Sequence, residues 1–94
     1  MTKVYKYKIP ILDTFELDLP KDTRVLSFQC QKEDFCIWAL VNTLDVELET
    51  RKFRLCGTGH DIYEWEKRLI FIGTAQKFGG ELVFHLFEII EVET

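Results

Sequence analysis

The sequence has no run of about 20 apolar residues that would cross a bilayer as a helix. Its first ten residues, MTKVYKYKIP, hold no apolar stretch of the about 7 to 15 residues that a secretory signal needs. A membrane location is therefore not expected. Cysteine is scarce and odd in number, with Cys30, Cys36 and Cys56 only. Without an export signal these are expected to be reduced thiols in a cytoplasm rather than a disulfide framework. Basic residues do not dominate either: 12 Lys and Arg against 16 Asp and Glu leave a net charge of -4, interspersed along the chain except at the acidic end EIIEVET. No basic stripe is available for a phosphate backbone, so direct DNA or RNA binding is disfavoured. Internal repeats and low-complexity segments are also missing.

What remains is ample material for one core. A chain of 94 residues is expected to form a single domain, because two stable cores would need roughly 100 residues or more. Hydrophobic residues make up 47% of it and eight are phenylalanines. Each large side chain, once buried, contributes about 1.5–3 kcal/mol, which argues against disorder.

Alternation with a period of two dominates the chain. Tyr5, Tyr7, Ile9 and Ile11 fall on one face, with Lys6 and Lys8 on the other. In FELDLP, Phe15, Leu17 and Leu19 oppose Glu16 and Asp18; in VLSFQCQ, Leu26, Phe28 and Cys30 oppose Ser27, Gln29 and Gln31. KED at 32–34 supplies a hairpin turn into FCIWALVN, which is apolar on both faces. TLDVELET alternates but loses phase before RKFRLCG, so a bulge or longer loop is expected there, followed by a strand with Phe53 and Leu55 inward and Lys52, Arg54 and Cys56 outward. LIFIGTAQ and ELVFHLFEIIE complete the set across the glycine turn KFGG. Only HDIYEWEKRL hints at helix, through a capping pair of Asp61 and Glu64; a short helical turn or ordered loop docked by Trp65 is expected.

Seven mainly antiparallel strands with at most one short helical turn predict an all-β single domain, a β-sandwich or a partly open barrel. Residues 35–42 and 82–90, apolar on both faces, should be central. Their second faces would present Trp38, Leu40, Val83, His85 and Phe87 as an interface, to be covered by a partner or by a second copy in a homo-oligomer.

Reactive chemistry is thinly represented. Gly57, Thr58, Gly59 and His60, in GTGHD, offer backbone N–H groups and two side-chain donors to an anion such as a nucleotide, but match neither the P-loop nor the dinucleotide pattern. A glycine turn is the simpler reading of the same residues. Cys56 and His60 stand near metal-ligand spacing without the second close pair that zinc requires, so no metal and no cofactor is expected. Cys56 is the best candidate thiol nucleophile, with no neighbour in sequence to stabilise its thiolate. His85, between apolar residues, reads as a satisfied core or interface histidine. No catalytic residue is assigned.

The blocks YKYKIPI, LPKDTRVLSFQCQ, IWALVN, KFRLCGTGH, FIGTAQ and LVFHLFE, in this order from about Tyr5 to Glu88, resemble a family of small proteins of unknown function encoded mostly by bacteriophages and prophages. Its Trp-Ala-Leu-Val block falls on Trp38 to Val41, its Gly-Thr-Gly-His block on Gly57 to His60, and its Phe-His-Leu-Phe-Glu block on Phe84 to Glu88. Relatives often carry proline where this chain has Asp61, and proline-rich connections in place of TLDVELET and IYEWEKR. The resemblance implies an accessory phage product acting in the cytoplasm of an infected bacterium. The expected function is non-enzymatic: binding of a host or phage macromolecule to blunt a host defence. A small-ligand binder using the GTGH turn is the alternative and a thiol enzyme the third.

Overall fold

The computed structural model describes residues 1–44, 47–65 and 68–90. Seven antiparallel strands form two sheets: β1 (Thr2–Lys8), β2 (Thr14–Pro20), β3 (Arg24–Gln31), β4 (Asp34–Asn42), β5 (Leu48–Gly57), β6 (Leu69–Lys77) and β7 (Leu82–Ile89). Sheet A has the order β1-β4-β3 and sheet B the order β2-β5-β7-β6. The domain measures 40 × 39 × 16 Å, and its thin dimension suits two layers about 10 Å apart. The sandwich is open rather than closed, and among the described residues there is no α-helix, only a 3-10 turn at Phe78–Gly80 and a 3-10 position at Arg68; residues 66–67 of the helical turn expected in HDIYEWEKRL lie outside the described residues. None of the described helical segments is long and apolar enough to cross a membrane.

The two strands with apolar residues on both faces, β4 and β7, are interior strands of their sheets, as expected. The core lies between the sheets: Phe28, Phe35 and Ile37 of sheet A meet Phe15, Leu19, Phe53, Leu55 and Leu86 of sheet B, with Ile9 and Ala75. Three aromatic contacts knit it, including a stacked Phe15–Phe53 pair at 5.3 Å. One end of the inner face is charged. Arg51 makes a bidentate pair with Glu88, at 2.6 Å and 2.8 Å, and donates to the Thr23 carbonyl. That satisfies an arginine in a half-buried place where an unpaired charge would be costly.

Simple alternation fails at two bulges. β3 shifts register between Val25 and Ser27, so Val25 faces Ala39 and Leu26, expected inward, is 43% exposed. β6 shifts between Phe71 and Gly73. Here the sheets touch: a Cβ on Gly73 would lie 3.4 Å from the Phe28 Cβ and 3.5 Å from the Phe28 backbone, so glycine lets β6 run against β3. Ile11 also departs from expectation, since β1 ends at Lys8 and Ile11 lies exposed in the connection.

The β3–β4 hairpin turns through Lys32 (φ 55°) and Glu33 (φ 83°) between the paired Gln31 and Asp34. Two left-handed residues are what a two-residue hairpin turn demands, and side chains other than glycine pay roughly 1 kcal/mol each for it. Glu33→Gly is expected to stabilise the domain by about 1 kcal/mol, raising Tm by about 4–8 °C in a thermal melt followed by circular dichroism. A lower Tm would show that the turn does not hold this conformation in solution.

Candidate functional site

β5 carries the GTGH turn at its end and the segment after it folds back over β5's outward face. The His60 N–H donates to Gly57 O at 3.1 Å, closing a turn in which Gly59 has φ +84°, and the Thr58 N–H donates to Val83 O at 3.2 Å. Gly59 thus supplies a conformation that other residues rarely adopt. Gly57 serves packing instead: a Cβ there would sit 2.9 Å from His60 Cε1, so the imidazole lies directly on the glycine. Two of the N–H groups that an anion would need are spent inside the protein, and the loop is built first as a turn.

Beyond the turn, Arg54 holds the loop. Its Nε meets the Glu64 carboxylate at 2.9 Å, Nη2 donates to Asp61 O at 3.1 Å, and Nη1 donates to Leu55 O at 2.7 Å and Asp13 O at 3.2 Å. Arg54, read from sequence as an outward residue, is 6% exposed because this loop covers it. Glu64 is consequently occupied by Arg54 and makes no capping pair with Asp61, whose carboxylate accepts from the Tyr63 hydroxyl at 3.5 Å. Trp65 is 59% exposed, and the bonds that hold Asp61 and Glu64 against β5 come from Arg54. A cleft of about 510 Å³ beside it is lined by Arg54, His60 and Tyr63 with the carboxylate residues Asp13, Asp61 and Glu64, a setting that repels an anion.

On the same outward face His85 stands opposite Cys56 in the β5–β7 ladder. Both its ring nitrogens are engaged, Nε2 with the Thr58 hydroxyl at 2.7 Å and Nδ1 with the Thr74 hydroxyl at 2.8 Å. It is the satisfied histidine expected from its apolar neighbours, and its bond to Thr58 ties the turn to β6 and β7. Burial pushes the Cys56 thiol up from its ordinary pKa against the lowering effect of Arg54, and burial likewise raises Cys36. Cys36 lies on the outward face of sheet A beside the paired Lys8, while Lys6 reaches Gln31 at 2.7 Å. A raised pKa keeps sulfur as the inert thiol. Native labelling with a thiol reagent at pH 8 is expected to modify Cys30 first and to reach Cys36 and Cys56 only on unfolding. Rapid labelling of Cys56 in the folded state would instead mark a reactive sulfur.

The expected interface residues divide between two surfaces. Trp38 and Leu40 lie on the outward face of sheet A, across from Lys6 and Val4; Val83, His85 and Phe87 lie on the outward face of sheet B. Sequence reasoning did not single out Phe71, which pairs with Phe87, meets its ring edge-on at 5.5 Å and is 57% exposed. The signal was the continuous apolar run LIFI, whose phase the bulge concealed. Leu69 and Ile89, a ladder pair on the same outward side, extend this aromatic face. Among the described residues, no three His, Cys, Asp or Glu side chains converge so as to hold a metal ion.

A family model described as "Domain of unknown function (DUF7352)" matches residues 1–94. No curated protein matches the chain, and no solved structure does.

Proposed function

The chain belongs to the DUF7352 family, a domain of unknown function, and from that premise we propose that it is a non-enzymatic, phage-type binding module. It acts in the bacterial cytoplasm by binding a host or phage macromolecule, in the role of a counter-defence inhibitor. The observation that supports this reading best is the outward face of β6 and β7, where Phe71 stands 57% exposed against Phe87 beside Val83 and His85. Exposed aromatics on a rigid strand pair lose little conformational entropy on binding and are favoured as anchors. The hydrogen bonds to Thr58 and Thr74 fix His85 within that face, so its shape is set before a partner arrives.

The test is capture from lysates of phage hosts with the wild-type domain and with Phe71→Glu. The reading expects a single macromolecule in fixed stoichiometry, lost with Phe71→Glu and retained with Leu44→Glu, a control at an exposed position. Repeated blanks from relevant hosts, or capture indifferent to Phe71→Glu, would reject this face as the binding surface. A thermal-shift panel of nucleotides runs beside it. A shift abolished by His60→Ala would favour the small-ligand alternative.

A further inference from the structure

Each sheet has two terminal strands; β3 and β6 lie against each other where the sheets meet, while the other two have, among the described residues, no strand paired on their outer sides. These are β1 in sheet A and β2 in sheet B, each the strand farthest in its sheet from the β3–β6 contact. The open side of the sandwich is thus bordered by two free edges of unlike charge. β1 carries Lys3, Lys6 and Lys8, and β2 carries Glu16 and Asp18. Free edges invite pairing, and like charges facing one another are a device against it. A β1 edge against another β1 would set lysines together, and β2 against β2 would set carboxylates together. Only β1 against β2 is complementary.

We propose that two copies of the chain associate through these open sides, β1 of each lying antiparallel along β2 of the other. The exchange is two-fold symmetric, so both edges of both copies are satisfied at once and the assembly closes. Sheet A of one copy then runs on into sheet B of its mate.

The residue pattern selects a register. With Lys8 opposite Glu16 of the partner subunit, Lys6 falls opposite Asp18 of the partner subunit, both on the outward face. The same register places Tyr7 beside the partner's Leu17 and Tyr5 beside the partner's Leu19 on the core side. Tyr5 is 43% exposed and Tyr7 is half-buried in the single chain, so this side has apolar surface to cover. The bonds given up or shared are exposed ones, Lys6 to Gln31, Lys8 to Asp34 and the Thr50 hydroxyl to Asp18, which contribute little. The association leaves the outward aromatic face of β6 and β7 untouched and stands or falls independently of the function proposed for it.

Sedimentation equilibrium of the full chain across about 1–200 µM in low salt tests it. The expected result is a mass twice the 11.2 kDa chain that weakens as salt screens the edges. The doubly substituted Lys6→Glu/Lys8→Glu chain makes both edges acidic, and Glu16→Lys/Asp18→Lys makes both basic. Each is expected to weaken association by roughly a hundredfold, from several like-charge contacts acting together. The chain with all four substitutions restores opposite charges and is expected to dimerise again. All four positions are exposed, so folding, followed by circular dichroism, should be kept. A single 11.2 kDa species throughout overturns the proposal, as does a dimer indifferent to Lys6→Glu/Lys8→Glu or a fourfold variant that stays monomeric.

Discussion

Truncation of Phe53 to alanine is expected to lower the stability of the domain by about 3–5 kcal/mol, the range for deleting a fully buried phenyl ring that neighbours cannot replace. Phe53 is 0% exposed, lies opposite Phe15 in the β2–β5 ladder and stacks on it with rings 16° from parallel. It also belongs to the cluster that joins Leu55 and Leu86 of sheet B to Phe35 and Ile37 of sheet A. A rigid sheet cannot close over the vacated volume, so the loss includes a cavity as well as the lost transfer energy. Against a total of about 5–15 kcal/mol for a domain, this leaves little. Tm should fall by about 12 °C or more, at about 4–8 °C per kcal/mol. Phe53→Leu keeps most of the volume and should cost about 1–2 kcal/mol. Chemical denaturation with both variants measures the difference. A loss under 1 kcal/mol for Phe53→Ala would mean that the two sheets do not pack around this ring.

Such a core was legible because alternation reports burial one strand at a time. FELDLP and RKFRLCG each showed their inward phenylalanines, and the two-faced strands 35–42 and 82–90 declared themselves central. The pairing partners were not legible. β2 lies against β5, with Phe15 opposite Phe53, across 38 positions of chain, and no local signal encodes that choice. The bulges were equally hidden: Leu26 fits an inward phase until Val25 takes the place opposite Ala39. At the candidate site, GTGH could be read as a turn, since Gly59 does hold a left-handed conformation. The role of Arg54 could not, because alternation assigns a face and is silent about whether a loop later covers it. Phe71 was lost for a related reason, as a one-residue shift in β6 reassigns a whole run of side chains.

Replacement of Arg54 by methionine should produce the second large effect, a loss of about 3 kcal/mol with a local signature. Methionine approximates the arginine stem but removes every donor that now serves Glu64 and the carbonyls of Asp13, Leu55 and Asp61. Breaking a buried, multiply bonded charge leaves its partners without compensation, which is why the loss exceeds that of an exposed ion pair. Tyr63, 86% exposed, buries little that could replace this anchor. Amide hydrogen exchange across residues 59–65 is therefore expected to accelerate at least tenfold, while the β3–β4 hairpin keeps its protection. Glu64→Gln, which keeps an acceptor for Arg54, should cost only about 1 kcal/mol. If Arg54→Met leaves both stability and loop exchange as in the wild type, the arginine is not the anchor. If exchange accelerates while capture through the Phe71 face persists, the loop is a cover for β5 and the binding surface lies wholly on β6 and β7.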